Sequence, residues 1–150
     1  MIVFRIAKAA YAQDLSGFGS KKYGGRWNYK GIPVLYTSTH AAMALLELLV
    51  HLPVAYVASD YQLIKINCPN ESIDSLNLED LPSNWKEDEQ KMLLKDLGKD
   101  WIMKSEKLCF SVPSAILPGE QNVLINPSHQ LFSKVKIESM EPIPIDRRLK

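Results

Sequence analysis

Residues 39–53, THAAMALLELLVHLP, limit the folds open to this chain more than any other stretch. At about 100° per residue, Ala41, Ala42, Leu45, Leu46, Leu48, Leu49 and Val50 spread around most of a helix. Only a narrow stripe of His40, Glu47 and His51, beside Met43 and Ala44, is polar. A helix of this kind must be covered on most sides, so the rest of the chain has to supply another layer. Ser38 or Thr39 is expected to cap its start, and Pro53 to stop it. Burying an unpaired carboxylate costs several kcal/mol, so Glu47 either reaches water directly as a surface residue or lines a cleft.

The covering layer is read as strands. IVFRI (2–6), IPVLYTS (from 32 to 37), the segment 61–67, and the segments 107–112 and 122–126 all have strand character. SIDSLNL is expected to add a short strand, and SKVKIESMEPIPIDRRL one or two more. LPSNWKEDEQKMLLKDLGKDW reads as a second, solvated outer helix, with Ser83 as cap, acids in the first turn and Gly98 near its end. Strands at both ends with helices between them make the class α+β, in a single domain over 1–150. A chain of that length buries roughly two thirds of its unfolded surface.

Charge and cysteine content exclude several classes. Eighteen basic against 17 acidic side chains leave a net charge of +1, without the clustered cationic excess that nucleic-acid binding requires. Cys68 and Cys109 form no CxxC pair and no disulfide framework, which favours a reducing compartment. MIVFRIAKAA lacks the apolar core of a signal peptide, and no window approaches the ~18 apolar residues of a membrane span. The expected location is cytoplasmic.

Between the first two strands lies YAQDLSGFGSKKYGGRWNYKG, glycine-rich and without a clear period, yet carrying Tyr11, Phe18, Tyr23, Trp27 and Tyr29. Unpatterned loops longer than about 12–15 residues are usually functional or disordered, and the aromatics argue against disorder. Of the four arginines, Arg5 and Arg26 fall in the first 26 residues, which makes them the candidates for bidentate anion recognition. Gly24 and Gly25 either form a tight turn or let the backbone approach a phosphate closely. Trp27 is either core or, with Tyr23, a flank for a flat ring, and Tyr36 is either a core residue at a strand end or a stacking surface. A metal reading of the helical stripe fails on length. His40 and His51 are eleven residues apart, about 16 Å along a helix, which leaves only Glu47 and His51 able to share an ion.

In order, FRI, DLSGFGS, GGRWN, LYTS, ALLELLVH, VPSAILPGEQNVLINPSH and IDRRL resemble the RES-domain family, over about residues 3 to 149. The resemblance implies an ADP-ribosyltransferase-like fold with a split β-sheet core and flanking helices. It implies the toxin half of a bacterial toxin–antitoxin pair whose partner is an Xre-type helix-turn-helix antitoxin, with NAD+ as substrate and no further cofactor. Cleavage of the nicotinamide–ribose bond by hydrolysis or phosphorolysis, depleting the cell of NAD+, is the implied activity; ADP-ribosylation of a protein and a non-catalytic binding module are the alternatives. Carried over by motif, Arg26, Tyr36 and Glu47 are the implied catalytic residues. Arg5 and Ser114 join Arg26 and Tyr36 in holding NAD+, with Ser111 the competitor for the role of the family serine. Homo-oligomers, or hetero-oligomers with the antitoxin, are compatible with this reading. No metal and no direct nucleic-acid contact are expected.

Overall fold

The computed structural model describes residues 1–53 and 60–149. Among the described residues there are seven strands: β1 (Ile2–Lys8), β2 (Leu35–Ser38), β3 (Tyr61–Asn67), β4 (Ile73–Ser75), β5 (Cys109–Pro113), β6 (Gln121–Ile125) and β7 (Lys136–Pro142). They form one sheet in the order β4-β5-β6-β2-β1-β3-β7, antiparallel except for the β4–β5 pair. Among the described residues three α-helices accompany it: α1 (Phe18–Tyr23), α2 (Ala41–His51) and α3 (Lys91–Lys104). The α+β class expected from the sequence is the one observed.

The sheet is divided where the site lies. β1 pairs with β3 from Ile2 to Lys8, but β1 and β2 are joined by one register pair only, Phe4 with Ser38. Strand alternation assigns each face its work. Leu35 of β2 and Val123 and Ile125 of β6 enter one core with Val3, Ile64, Ile66 and Val135. Leu124, with Tyr36 against it, belongs to the other face, where Trp27, Trp85, Leu94, Trp101, Phe110 and Val112 pack. A third, smaller core under α2 joins Leu49, Leu52 and Tyr61 to Ile6, Leu45 and Leu48. Gaps between the second and third cores are what leave room for a cleft.

Four expectations change at this level. The second helix begins at Lys91 with Gln90 as cap, not near Ser83, which is exposed and caps nothing. The cause is Trp85: buried against Trp27 with ring centroids 6.2 Å apart, it folds the preceding segment into turns that end in a 3₁₀ turn at Asp88–Gln90. That helix is also not simply a solvated one, since Leu94, Gly98 and Trp101 are buried. Gly98 is required there because a Cβ would sit 1.8 Å from the Trp27 carbonyl oxygen. The second strand begins at Leu35 rather than residue 32, because Pro33 has no N–H to give to a ladder and the Val34 N–H is taken by the Ser20 hydroxyl. Finally, α2 is capped by His40 without a side-chain bond, not by Ser38 or Thr39, whose hydroxyls serve Asn122 and the Gln121 carbonyl.

Burial on α2 follows the expected apolar arc only in part, with Leu49 buried and Leu45 and Leu48 packed beside it. Met43 (2% exposed) and Ala44, placed beside the polar stripe, are buried, while Leu46 (38%) and Val50 (58%) face outward. Glu47 therefore lies on the side turned toward the sheet.

Candidate active site

A cleft of about 750 Å³ opens over the β1–β2 division, between α2 and α3, a size suited to a nucleotide. Arg5, Arg26, Tyr36 and Glu47, which the sequence scatters over 43 positions, all line it.

Glu47 reaches the cleft half-buried and held. The Asn122 amide donates to its Oε1 at 2.6 Å and the Ser114 hydroxyl donates to the same oxygen at 3.3 Å. Among the described residues no hydrogen bond engages Oε2. Asn122 is oriented in turn by the Ser38 hydroxyl, which donates to its Oδ1 at 2.7 Å. Ser38 and Asn122 are Cα partners in the β2–β6 register. Sequence reasoning missed Asn122 as a site residue: a single amide in the strand QNVLI carries no signal until its partner strand is known.

Ser114 is buried, and its hydroxyl is fully used: it donates to Glu47 and accepts from the N–H groups of Ile116 and Leu117. Its geometry makes it a support for Glu47. Ser111 donates instead to Gln121 at 3.2 Å and does not touch Glu47.

Tyr36 is fixed at its phenol. The oxygen accepts from the Trp27 N–H at 3.0 Å and donates to Asn28 Oδ1 at 2.8 Å. Burial pushes its pKa well above the usual tyrosine value, only partly offset by the Trp27 bond and by Arg26. The hydroxyl is thus a structural anchor that stays protonated, and the ring is what it offers to the cleft.

The GGRWN segment gains its form from the same contacts. Gly24, with φ +74°, ends α1 in a conformation side chains rarely adopt. A Cβ on Gly25 would meet the Tyr36 phenol oxygen at 2.6 Å. Asn28 ties the loop together, its amide donating to the carbonyls of Ser20, Tyr29 and Ile32. The paired glycines therefore serve a tight turn and a close approach to Tyr36. Trp27, a candidate flank for a ligand ring, is 3% exposed and packs in the core while also lining the cleft, whereas Tyr23 stands exposed on the cleft wall.

Arg26 is exposed, its Nη1 3.4 Å from the Lys86 carbonyl and its guanidinium 6.0 Å from the Trp85 ring centroid. Arg5 donates through Nη1 to the Asp14 carbonyl at 2.8 Å, which ties the loop after β1 to the cleft. Burial lowers its pKa, with Asp14 opposing the shift. Two lysines of α3, Lys91 and Lys95, complete the wall beside Arg26 and were not singled out from the sequence. His51 shares the cleft with Glu47, and among the described residues no three His, Cys, Asp or Glu groups gather as a metal site. Nor is any helix there long and apolar enough to cross a membrane.

Residues 2–147 match the RES domain. The chain is 35% identical to a protein named Toxin Res from Yersinia enterocolitica over 153 aligned residues, covering the whole of both chains. It is 32% identical to a Prs ADP-ribosylating toxin from a Sphingobium species, over 95% of this chain and 91% of that one. Its fold is similar to that of a chain in the M. tuberculosis MbcT-MbcA toxin-antitoxin complex, with a TM-score of 0.80 over 95% of this chain and 83% of that one, at 16% identity.

Proposed function

Because the chain belongs to the RES-domain family, we propose that it is a toxin that consumes NAD+ by breaking the bond between nicotinamide and ribose. The observation that carries this reading is the clamped Glu47: both protein hydrogen bonds fall on Oε1, and the other oxygen is left for a ligand. Breaking that bond sends its electron pair to the nicotinamide nitrogen, which leaves neutral, and positive charge grows on the ribose as in other glycosidic cleavages. A carboxylate already fixed at the place where charge develops needs no reorganisation to stabilise it. Its free oxygen would also hold a ribose hydroxyl. The Tyr36 ring, immobilised through its phenol, would pack on the nicotinamide, and Arg26 would grip phosphate oxygens.

An acceptor oxygen then bonds to the ribose carbon and gives up its proton. Water and inorganic phosphate fit the consumption of NAD+; a protein side chain is the second reading, favoured by the relative named as an ADP-ribosylating toxin. An antitoxin partner of the Xre type fits the resemblance, and the structural neighbour is itself part of a toxin-antitoxin complex.

Incubating the purified protein with NAD+ and measuring released nicotinamide separates an enzyme from a binding module. Glu47→Gln should keep the fold and lower release by about 10²- to 10³-fold. Undiminished release by a folded Glu47→Gln protein would overturn the assignment.

A further inference from the structure

The α3 wall of the cleft carries positive charge that the protein does not answer. Lys95 is half-buried, and its ammonium donates to the Asn28 carbonyl at 3.3 Å and lies 5.7 Å from the Tyr29 ring centroid. Its nitrogen is 3.5 Å from where a Gly24 Cβ would be, so it rests directly against the turn that bears Arg26. Among the described residues no carboxylate lies within ion-pair distance of Lys95 or Arg26. The nearest acid in sequence, Asp96, accepts instead from the Tyr29 phenol at 2.8 Å. Lys91, one helical turn before Lys95, differs: Asp88 holds it at 2.8 Å. Asp88 in turn is kept below the usual carboxylate range, first by Lys91 and to a smaller degree by Arg26.

An ammonium has three donors, and only one of Lys95's is spent on the protein. A partly buried cation supported by a carbonyl and a ring face, without a counter-ion, is prepared for an anion from outside. Glu47 stands on the α2 wall and the two unanswered cations on the α3 side, so the cleft is itself dipolar. It matches a ligand with a cationic end and an adjoining diphosphate.

We infer that Lys95, resting against the Gly24–Asn28 turn, and Arg26, within that turn, form a two-cation clamp for the diphosphate of the dinucleotide. The inference rests on the NAD+ reading and adds to it a binding residue from α3.

Calorimetric titration of wild type, Lys95→Met, Lys95→Arg and Lys99→Met with ADP-ribose tests it, with thermal melts as the check on folding. Loss of one charge-assisted contact should weaken ADP-ribose binding about tenfold or more in Lys95→Met. Lys95→Arg should recover most of that loss, and Lys99→Met should stay within about twofold of wild type because Lys99 lies one turn farther along α3, outside the cleft lining. Added inorganic phosphate should compete with ADP-ribose in wild type and compete less in Lys95→Met. Equal ADP-ribose affinity in wild type and folded Lys95→Met would sink the clamp and leave the NAD+ reading standing. A wild type that binds neither NAD+ nor ADP-ribose would remove the NAD+ reading and the clamp with it.

Discussion

The two long helices that flank the cleft are opposites in composition, and each contributes what its composition hides. α2 is apolar almost throughout, yet it brings a carboxylate to the cleft, with Ala44, Leu48 and His51 beside it, while Leu46 and Val50 face outward. α3 is crowded with charge, yet it is fastened by Leu94, Trp101 and a glycine, and gives the cleft its cationic wall. Composition sets how much of a helix can be buried; the partner surface decides which side is. For α2 that surface offers Asn122 and Ser114 to a carboxylate, and for α3 it offers the backbone of Trp27 to a position without a Cβ.

That contrast is most easily broken at Gly98. Alanine there would gain about 1 kcal/mol of helix propensity, but its Cβ would overlap a backbone oxygen that no rotamer change can clear. Overlap should win, with a net loss of about 1–3 kcal/mol in urea unfolding and reduced NAD+ cleavage as the GGRWN loop shifts. If Gly98→Ala is as stable as wild type, α3 is not fastened through Trp27.

On the α2 side the corresponding cut is Asn122→Ala, which removes the 2.6 Å donor from Glu47 and leaves the helix untouched. Nicotinamide release should fall about tenfold in kcat, with KM changing less. A larger effect on KM than on kcat would show that Asn122 binds substrate and does not position Glu47.

Tyr36 lies between the two walls, and its effect should be the smallest. Phenylalanine leaves the Trp27 N–H without its acceptor and should cost about 1 kcal/mol. The folded pKa of Tyr36 is raised above the free value of 10.0. Its stabilising share is therefore fully present below pH 10 and is lost as pH rises toward the folded value, where the unfolded chain binds fewer protons than the folded one. Tyr36→Phe should flatten that alkaline decline in stability. An unchanged decline above pH 10 would assign it to other groups.

How far the sequence could be read varied with the kind of signal. β3 falls on the expected residues 61–67, and β5 and β6 lie within two residues of expectation, because alternation and β-branching are local properties. The start of α3 was misplaced because the acids at 87–89 look like a first helical turn, while what bends the chain there is Trp85 meeting Trp27 across 58 residues. Arg26, Tyr36 and Glu47 were legible through ordered motifs, and the cleft brings all three together. Lys95 and Asn122 were not, since a lysine on a charged helix and an asparagine in a strand are ordinary until their neighbours are known.

Sequence alone determined that strands must cover a greasy helix, that Glu47 would be that helix's one carboxylate, and which family the motifs resemble, all of which depend on residue type and spacing along one segment. Tertiary structure alone decided which side of that helix turns inward, that Asn122 and Ser114 hold its carboxylate, and that Lys95 sits against the arginine loop. Those outcomes depend on strand register and on close approach between segments far apart in the chain, and neither is written in any local pattern.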